Sequence, residues 1–211
     1  MAYAGVIAGI LLAAGASRRF GAPKLLEDLD GKPVIRWSAE ALARARLDES
    51  IVVVGPDFRG VQDGVRAGGL DARFVMNPDP ERGMGSSIAS GVGALDARVA
   101  AAVIALGDAP TLDVRAYQCV VDRYRAGDVS IVVPTYGGVR GHPVLFDRSV
   151  FHELQALSGD TGARSVVEAE ATRVAFVEMG LVMPIDIDTP ADLARLRSGA
   201  HFMAPLQTKR P

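Results

Sequence analysis

Apolar runs rich in Val, Ile and Ala recur along the chain, with stretches of helical periodicity between them. The clearest runs are Val6–Leu12, Ser50–Val54, Arg73–Met76, Ala100–Leu106 and Val129–Val133. Continuous apolar runs of this length are typical of strands that are buried on both faces, as in parallel sheets covered by helices. The alternation therefore predicts right-handed βαβ crossovers and a three-layer α/β fold.

Capping residues and prolines mark the ends of the helices predicted in the first part of the chain. A proline suits the first helical turn, and Ser or Asp side chains accept hydrogen bonds from the free N–H groups there. The predicted helices are Pro33–Arg46, a segment capped by Ser86 or Ser87 that reaches about Leu95, and Val114–Arg125 capped by Asp113.

After about Pro134 the pattern changes to shorter elements separated by turns. Pro184 interrupts the run Leu181–Ile187, so a strand there is expected at a sheet edge or with a bulge. No repeat or shift in composition divides the chain, and we expect a single domain over residues 1–198 followed by a flexible tail at 199–211. The other elements predicted in this part are a strand at Pro143–Phe146, helices near Val150–Leu157 and Ala163–Ala169, a strand at Arg173–Glu178 and a helix from Pro190 to about Arg197.

Composition and charge exclude several classes of protein. The 211 residues include 23 Lys plus Arg and 25 Asp plus Glu, a net charge of −2, which argues against nucleic acid as the main partner. A single cysteine, Cys119, cannot form an intramolecular disulfide and favours a reducing compartment. The apolar stretch Gly5–Ala16 is shorter than the roughly 20 residues of a membrane span and has no positive residue before it. We therefore expect a cytoplasmic protein with no membrane partner.

A loop rich in small residues follows the first predicted strand. It reads AAGASRRFGAPK over residues 13–24. Small residues let backbone N–H groups approach a phosphate chain, and cations such as Arg19 and Lys24 can then neutralise its charge. The loop is neither a P-loop nor the G-x-G-x-x-G fingerprint, and a flexible turn with solvated arginines is the alternative. Its place at the carboxyl end of a strand favours a ligand site.

Three carboxylates are candidates for a metal site. Asp108 lies at the carboxyl end of the fourth apolar run, in LGDAP, and Asp is a hard oxygen ligand suited to Mg²⁺. Asp186 and Asp188 lie one residue apart in DIDTP, so on an extended segment they point the same way. The alternatives are a turn before Pro110 for the first and, for the last, an ordinary helix N-cap provided by Asp188 or Thr189.

Taken in order, these segments resemble the MobA-like nucleotidyltransferase family, and within it the molybdenum cofactor cytidylyltransferases. LAAG, where the guanylyl branch has LAGG, resembles the cytidylyl branch; Ala109 and Phe20 depart from the Gln and Met that are usual there. The resemblance implies a Rossmann-like, mostly parallel sheet of the nucleotide-diphospho-sugar transferase type. The motifs that carry it, between residue 6 and about residue 197, are LLAAGASRRFGAPKLL, VVVG, MNPDPERGMGSS, LGDAP, GVRGHPVLF, LSGDTGAR and DIDTPADL.

The resemblance also implies a reaction and the residues that serve it. CMP would pass from CTP to a molybdopterin-type phosphate with release of pyrophosphate, with Mg²⁺ as cofactor and a molybdoenzyme or its chaperone as the protein partner. Arg19, Lys24 and Asp108 would be catalytic, and Asp108, Asp186 and Asp188 would hold the metal. The nucleotide would contact Leu12, Ala13, Ala14, Gly15, Arg19, Lys24, Asn77, Ser86, Ser87 and Asp108, and the acceptor Arg140, His142, Asp160 and Arg164.

Three other functions remain open from the sequence. A non-catalytic carrier of a nucleotide or of the molybdenum cofactor would have no need of the three carboxylates. A MobA-like oxidoreductase of the nicotine-blue type would fit the family, although no dinucleotide fingerprint is present. A sugar-phosphate nucleotidyltransferase is the third, and the sequence contains no hexapeptide repeat of the kind that many of those enzymes carry.

Overall fold

A computed structural model describes residues 5–56 and 58–199, so most of the tail predicted at 199–211 lies outside the described residues. The described part is a central sheet flanked by helices. Its strands are β1 (Val6–Ala13), β2 (Asp28–Leu29), β3 (Lys32–Pro33), β4 (Glu49–Val54), β5 (Arg73–Met76), β6 (Val99–Leu106), β7 (Ile131–Tyr136), β8 (Val139–Arg140), β9 (Val144–Asp147) and β10 (Val174–Glu178). Its helices are α1 (Val34–Ala45), α2 (Arg59–Ala67), α3 (Met84–Gly93), α4 (Val114–Arg125), α5 (Phe151–Gln155), α6 (Arg164–Ala169) and α7 (Pro190–Arg197).

The main sheet is mostly parallel, as predicted. Its strand order is β5–β4–β1–β6–β9–β7–β10, with β8 paired to β7. Neighbouring strands are parallel from β5 to β6 and again between β7 and β10, whereas β9 runs antiparallel to β6 and β7. Both faces of β1 carry a helix: Leu42 of α1 packs over Gly9, and Gly91 of α3 packs against Ile10. Successive strand residues point to opposite faces, so the fold has three layers.

Two predicted features are wrong. Leu181–Ile187 forms no strand; its backbone bonds instead to the turn after β6, through Ile185 N to Thr111 Oγ1 (2.9 Å) and Ile187 N to the Asp108 carbonyl (2.9 Å). Pro184 in its middle has no N–H to give to a ladder. The second is the start of α3, described next.

Helix α3 begins three residues earlier than a cap at Ser86 would place it, and four residues earlier than a cap at Ser87. Gly83 occupies its N-cap position with φ of 89°, a conformation that favours glycine, and Ser86 and Ser87 lie inside the first turn. The Ser86 hydroxyl donates back to the Gly83 carbonyl over 2.8 Å. The prediction for α4 is confirmed, since the Asp113 carboxylate accepts the Arg115 N–H over 2.8 Å. Among the described residues, no helix is long and apolar enough to cross a membrane.

The ends of β1 and β6 lie side by side at the centre of the sheet. Leu12 is paired with Leu106, and Gly107 N donates to the Leu12 carbonyl over 2.9 Å. A Cβ added at Gly107 would lie 2.9 Å from that carbonyl oxygen and 2.9 Å from Ile35 Cδ1. Glycine therefore permits the two chain segments to leave the sheet in contact.

Gly107→Ala is expected to lower the free energy of unfolding by about 1–3 kcal/mol, because its Cβ would overlap a backbone oxygen that is fixed within the sheet. Urea denaturation measures the change. Gly93→Ala is the matched control, since the space around that position on α3 is open; it is expected to be neutral or stabilising by up to about 1 kcal/mol. An equal loss of unfolding free energy in both variants would contradict the close approach of Gly107 to the Leu12 carbonyl.

Candidate active site

Cavities open at the carboxyl ends of β1 and β6. The central cavity, about 380 Å³, lies between the loop after β1, the start of α3 and Asp108. The side cavity, about 290 Å³, lies between α3, Arg140, His142 and the segment before α7. Leu12 and Met84 line both cavities, which are therefore adjacent. A third, outer cavity of about 680 Å³ extends the central one toward the end of β4. These volumes are comparable with the roughly 300–1,000 Å³ of small-molecule sites.

The loop after β1 folds back on itself and returns Lys24 to the sheet. Ser17 adopts φ of 52°, and its carbonyl accepts the N–H groups of Phe20 and Gly21, each over 3.0 Å. The Ser17 hydroxyl oxygen accepts the Lys24 N–H over 3.3 Å. Leu25, 7% exposed, is buried in the core and anchors the end of the loop. The loop thus presents small residues at its start and a lysine at its end to one cavity.

Lys24 lies between two carboxylates that come from distant parts of the chain. Its Nζ is 2.5 Å from Asp108 Oδ2 and 3.4 Å from Asp188 Oδ1. The Lys24 side chain is 11% exposed and that of Asp108 20%, so water screens this contact little. Arg19 Nη2 lies 3.1 Å from Asp188 Oδ1, but the arginine is 74% exposed and its pairing is weak.

The segment before α7 places Asp188 beside Lys24. Thr189, rather than Asp188, caps the helix: its hydroxyl accepts the Asp192 N–H, and the Asp192 carboxylate accepts the Thr189 N–H in return. This capping box leaves the Asp188 carboxylate available to the central cavity. Of the two residues predicted for the N-cap, Thr189 is confirmed and Asp188 is not.

Asp186 has a different environment, because it lines the side cavity. Solvent in the open cavity reaches its side chain, yet the surrounding protein removes enough water to raise the pKa of the carboxyl. The negative charges of Asp108 and Asp188 add to this effect and Lys24 opposes it, which gives a pKa of about 7. Loss of water is the largest cause of this raised pKa, and repulsion by the two neighbouring carboxylates is the smaller one.

The donor chemistry suits a hard divalent cation. Asp108 and Asp188 already surround a positive charge, the Lys24 ammonium, and carboxylate oxygens are the ligands that Mg²⁺ and Mn²⁺ prefer. Within residues 5–56 and 58–199, however, no three His, Cys, Asp or Glu side chains are gathered into one metal site. Asp186 would have to turn toward the other two, and Lys24 would have to move away.

The side cavity combines apolar walls with a few polar groups. Ile88 and Phe146 contribute apolar surface, and Arg140 and Arg164 contribute positive charge. The Tyr136 hydroxyl donates to the His142 carbonyl over 2.6 Å and holds that residue in place. His142 Nδ1 is buried without a partner among the described residues. Burial also lowers the pKa of His142, so its ring is neutral near pH 7.

The structure divides the sequence-predicted residues into three groups. Asn77 and Ser86 lie behind the cavities and line none of them, and Asp160 belongs with the central cavity rather than with the other acceptor candidates. Met84, shared by two cavities, was not singled out from the sequence, because an apolar residue at a helix start gives no chemical signal. The central cavity is lined by Leu12, Ala13, Ala14, Gly15, Arg19, Lys24, Ser87, Asp108, Asp160 and Asp188, and the side cavity by Leu12, Arg140, His142, Arg164 and Asp186.

Comparison with known proteins identifies the family. Residues 9–174 match the MobA-like NTP transferase domain. The chain belongs to the MobA-like NTP transferase family. A relative, nicotine blue oxidoreductase of Paenarthrobacter nicotinovorans, is 30% identical over 200 residues, which cover 90% of this chain and 96% of the relative.

Solved structures agree on the MobA-like fold. Rv0371c from Mycobacterium tuberculosis H37Rv, in complex with manganese, superposes with a TM-score of 0.76 at 27% identity, over 92% of this chain and 98% of that one. The 4-diphosphocytidyl-2C-methyl-D-erythritol synthase of Anaerococcus prevotii has a TM-score of 0.76 at 17% identity, over 93% and 96% of the two chains. The second likeness shows the fold alone, which is that of the nucleotide-diphospho-sugar transferases.

Lys24→Met is expected to bind Mn²⁺ about tenfold more tightly than the wild type in the absence of nucleotide. The ammonium competes with a metal ion for Asp108 and Asp188, and a hydrogen bond between charged groups contributes roughly 1.5–3 kcal/mol. Titration of the protein with Mn²⁺, followed by electron paramagnetic resonance, measures the affinity. Lys32→Met is the control, because Lys32 pairs with Glu40 outside the site. Unchanged or weaker binding in Lys24→Met would show that the lysine does not compete.

Asp186→Asn is expected to flatten the pH dependence of stability in metal-free protein. Between about pH 4 and pH 7 native Asp186 holds a proton that the unfolded chain releases, so the wild type loses stability as pH rises through this range. Urea denaturation with a chelator at pH 5 and pH 8 tests this. The free energy of unfolding of Asp186→Asn, relative to that of the wild type, should be higher at pH 8 than at pH 5. Asp122→Asn, at an exposed position on α4, should show no such gain.

Proposed function

We propose that this protein transfers CMP from CTP to the phosphate group of a molybdopterin-type acceptor and releases pyrophosphate. One observation carries the proposal: the central and side cavities meet at Leu12 and Met84, and the carboxylates of Asp108 and Asp186 lie on the two sides of that junction. A group-transfer enzyme needs two adjacent substrate sites, and carboxylates at their junction would hold a divalent cation that offsets the charge of the phosphates. The junction of the cavities provides this arrangement.

The central cavity suits the nucleoside triphosphate. The backbone of residues 13–15 faces it with little side-chain bulk, and the space around Gly15 is open. Lys24 and Arg19 would bind the phosphates, since both already pair with carboxylates in the same cavity. A divalent cation held by Asp108, Asp186 and Asp188 would offset the negative charge of the phosphates. The manganese complex of Rv0371c supports a divalent metal in this family.

The chemical step needs positioning more than acid–base chemistry. An oxygen of the acceptor phosphate attacks the α-phosphorus of CTP, the bond between the α-phosphorus and the bridging oxygen breaks, and pyrophosphate leaves with that oxygen. A phosphate monoester is already ionised at pH 7, so no general base is required. Lys24 and Arg19 would hold the triphosphate in line with the attacking oxygen.

The side cavity suits an acceptor with a flat ring and an anionic group. Ile88 and Phe146 offer apolar contact for a ring, and His142 lies in the same wall. Arg140 and Arg164 offer positive charge for a phosphate. A pterin phosphate combines these features. Its recipient after the reaction would be a molybdoenzyme or its chaperone in the cytoplasm.

The choice of CTP rests on the loop after β1. Ala14, where the guanylyl branch has glycine, is 5% exposed and lines the central and outer cavities. Its Cβ narrows the space for a purine. Ala109, in place of the usual Gln, is fully buried and lines none of the three cavities, so it does not contribute to the preference.

A second candidate follows from the relative that is 30% identical, nicotine blue oxidoreductase. In that case the side cavity would hold a substrate that is reduced or oxidised, and no pyrophosphate would form. A carrier, the third possibility, would bind nucleotide or cofactor without turnover. Pyrophosphate release separates the transferase from the other two candidates.

We expect pyrophosphate release from CTP, at a rate at least about fivefold above that from GTP, only when a molybdopterin-type phosphate is present. The fivefold figure corresponds to roughly 1 kcal/mol for one unpaired polar group of guanine. The assay supplies each of the four nucleoside triphosphates with and without acceptor, in Mg²⁺ and in Mn²⁺. Binding without release would favour the carrier, and a GTP preference would contradict the cytidylyl assignment.

The same assay compares two Asp→Asn variants, one in the site and one outside it as the matched control. Asp108→Asn should lower the rate by at least about 100-fold, as expected when a group that stabilises transition-state charge is removed. Asp122→Asn, exposed on α4, should be unaffected. Thermal unfolding confirms that both variants are folded.

A further inference from the structure

Phe176 is a half-exposed aromatic residue on β10, the strand at one edge of the sheet. It pairs with Val133 of β7, and Arg140 of β8 pairs with Thr135 of the same strand. Val133 and Thr135 are two residues apart, so the side chains of Phe176 and Arg140 point to the same face of the sheet, on opposite sides of β7. Val133 lines the side cavity on that face.

The guanidinium group of Arg140 lies over the Phe176 ring. Its central carbon is 5.0 Å from the ring centroid, within the range of a cation–π contact. Arg140 lines the side cavity, whereas Phe176 lines none of the three cavities. The ring therefore supports the guanidinium group from the side away from the cavity.

The two arginines of the side cavity differ in their charged neighbours. Arg140 Nη1 lies 3.2 Å from Glu168 Oε1 on α6, and this carboxylate offsets part of the positive charge. The side chain of Arg164 has no ion pair or hydrogen bond among the described residues. An anion in the cavity therefore meets an uncompensated charge at Arg164 and a partly compensated one at Arg140.

A guanidinium group that rests on a ring has a second face for a ligand. The group is planar and weakly hydrated, and it stacks readily on flat aromatic surfaces. Ile88 and Phe146 add apolar surface to the same cavity. Arg140 is thus suited to contact the ring of a ligand, and Arg164 is suited to contact an anionic group.

We infer that Phe176 is the positioning residue that holds the Arg140 guanidinium flat against the ring system of the acceptor, and that Arg164 binds the phosphate of the acceptor. The inference rests on the proposed function and assigns a different part of the acceptor to each arginine. The ligand class is a planar heteroaromatic ring with a phosphate ester on its side chain.

The test compares two pterins that differ only in one phosphate. Neopterin and neopterin monophosphate are titrated with the protein, and the fluorescence polarisation of the pterin ring gives both dissociation constants. A chelator is present, so that no metal ion bridges the phosphate to the protein. The wild type is expected to bind the phosphate ester about tenfold more tightly, the scale of a hydrogen bond between charged groups.

Replacing each arginine should affect a different quantity. Arg164→Gln should lower the ratio of the two dissociation constants to below about threefold and leave the affinity for neopterin unchanged. Arg140→Gln should weaken the binding of both pterins by about fivefold and keep the ratio, because a stacking contact is lost from the shared ring. Collapse of the ratio in Arg140→Gln would place the phosphate at Arg140 and overturn the assignment.

Phe176→Leu tests the positioning role and should weaken both pterins as Arg140→Gln does. Combined with Arg140→Gln it should cause no further loss, since Phe176 acts through the arginine. Phe176→Tyr should retain wild-type affinity, because its ring supports the guanidinium equally. Phe74→Leu is the matched control: Phe74 carries Arg66 over its ring, at 5.8 Å, on the strand at the opposite edge of the sheet. It should bind both pterins as the wild type does.

Two outcomes with Phe176 would overturn the inference. Wild-type affinities in Phe176→Leu would show that the ring does not position Arg140. Additive losses in the double variant would show a general effect on the sheet edge rather than an effect through the arginine. Failure of the wild type to bind either pterin would instead refute the pterin acceptor of the proposed function, and this inference with it.

Discussion

The parallel pairing of β1 with β6 is the constraint on which the site depends. Leu12 lies beside Leu106, so both strands end at the same level of the sheet. From β1 the strand order continues through β4 and β5 on one side and through β6 on the other. The sheet order therefore reverses between β1 and β6, and open α/β sheets bind ligands at such a point. Lys24 and Asp108 meet because the loops that carry them leave from this place.

The contact between Lys24 and Asp108 brings opposite charges together in the central cavity. Lys24 and Arg19 face Asp108 and Asp188, while Asp186 stands at the neighbouring cavity with a raised pKa. Two cations thus offset two carboxylates before any ligand arrives. A triphosphate brings negative charge that competes for the cations, and a divalent metal brings positive charge that competes for the carboxylates. The two ligands would therefore favour each other's binding, because each releases a group that the other uses.

Polar groups in the opposite wall serve a different purpose. Asn77 is enclosed behind α3, and every hydrogen bond it makes is to the protein. Buried networks of this kind rigidify their surroundings when each member is satisfied. Ser87 accepts a hydrogen bond from Asn77 and lines the central cavity.

The sequence by itself determined where the central strands lie in the chain. It also determined the strand ends at which the candidate site residues are found. β1, β4 and β6 are continuous apolar runs because both of their faces are buried, and Asp108 could be placed after β6 for that reason. The tertiary structure alone decided which polar atoms are used. Leu181–Ile187 is as apolar as a strand, yet its N–H groups bond to Thr111 and to the Asp108 backbone. Asn77 and Ser87 likewise depend on the packing of α3 against β5. Periodicity records burial, whereas a hydrogen-bond partner depends on contacts between segments that are distant in the chain.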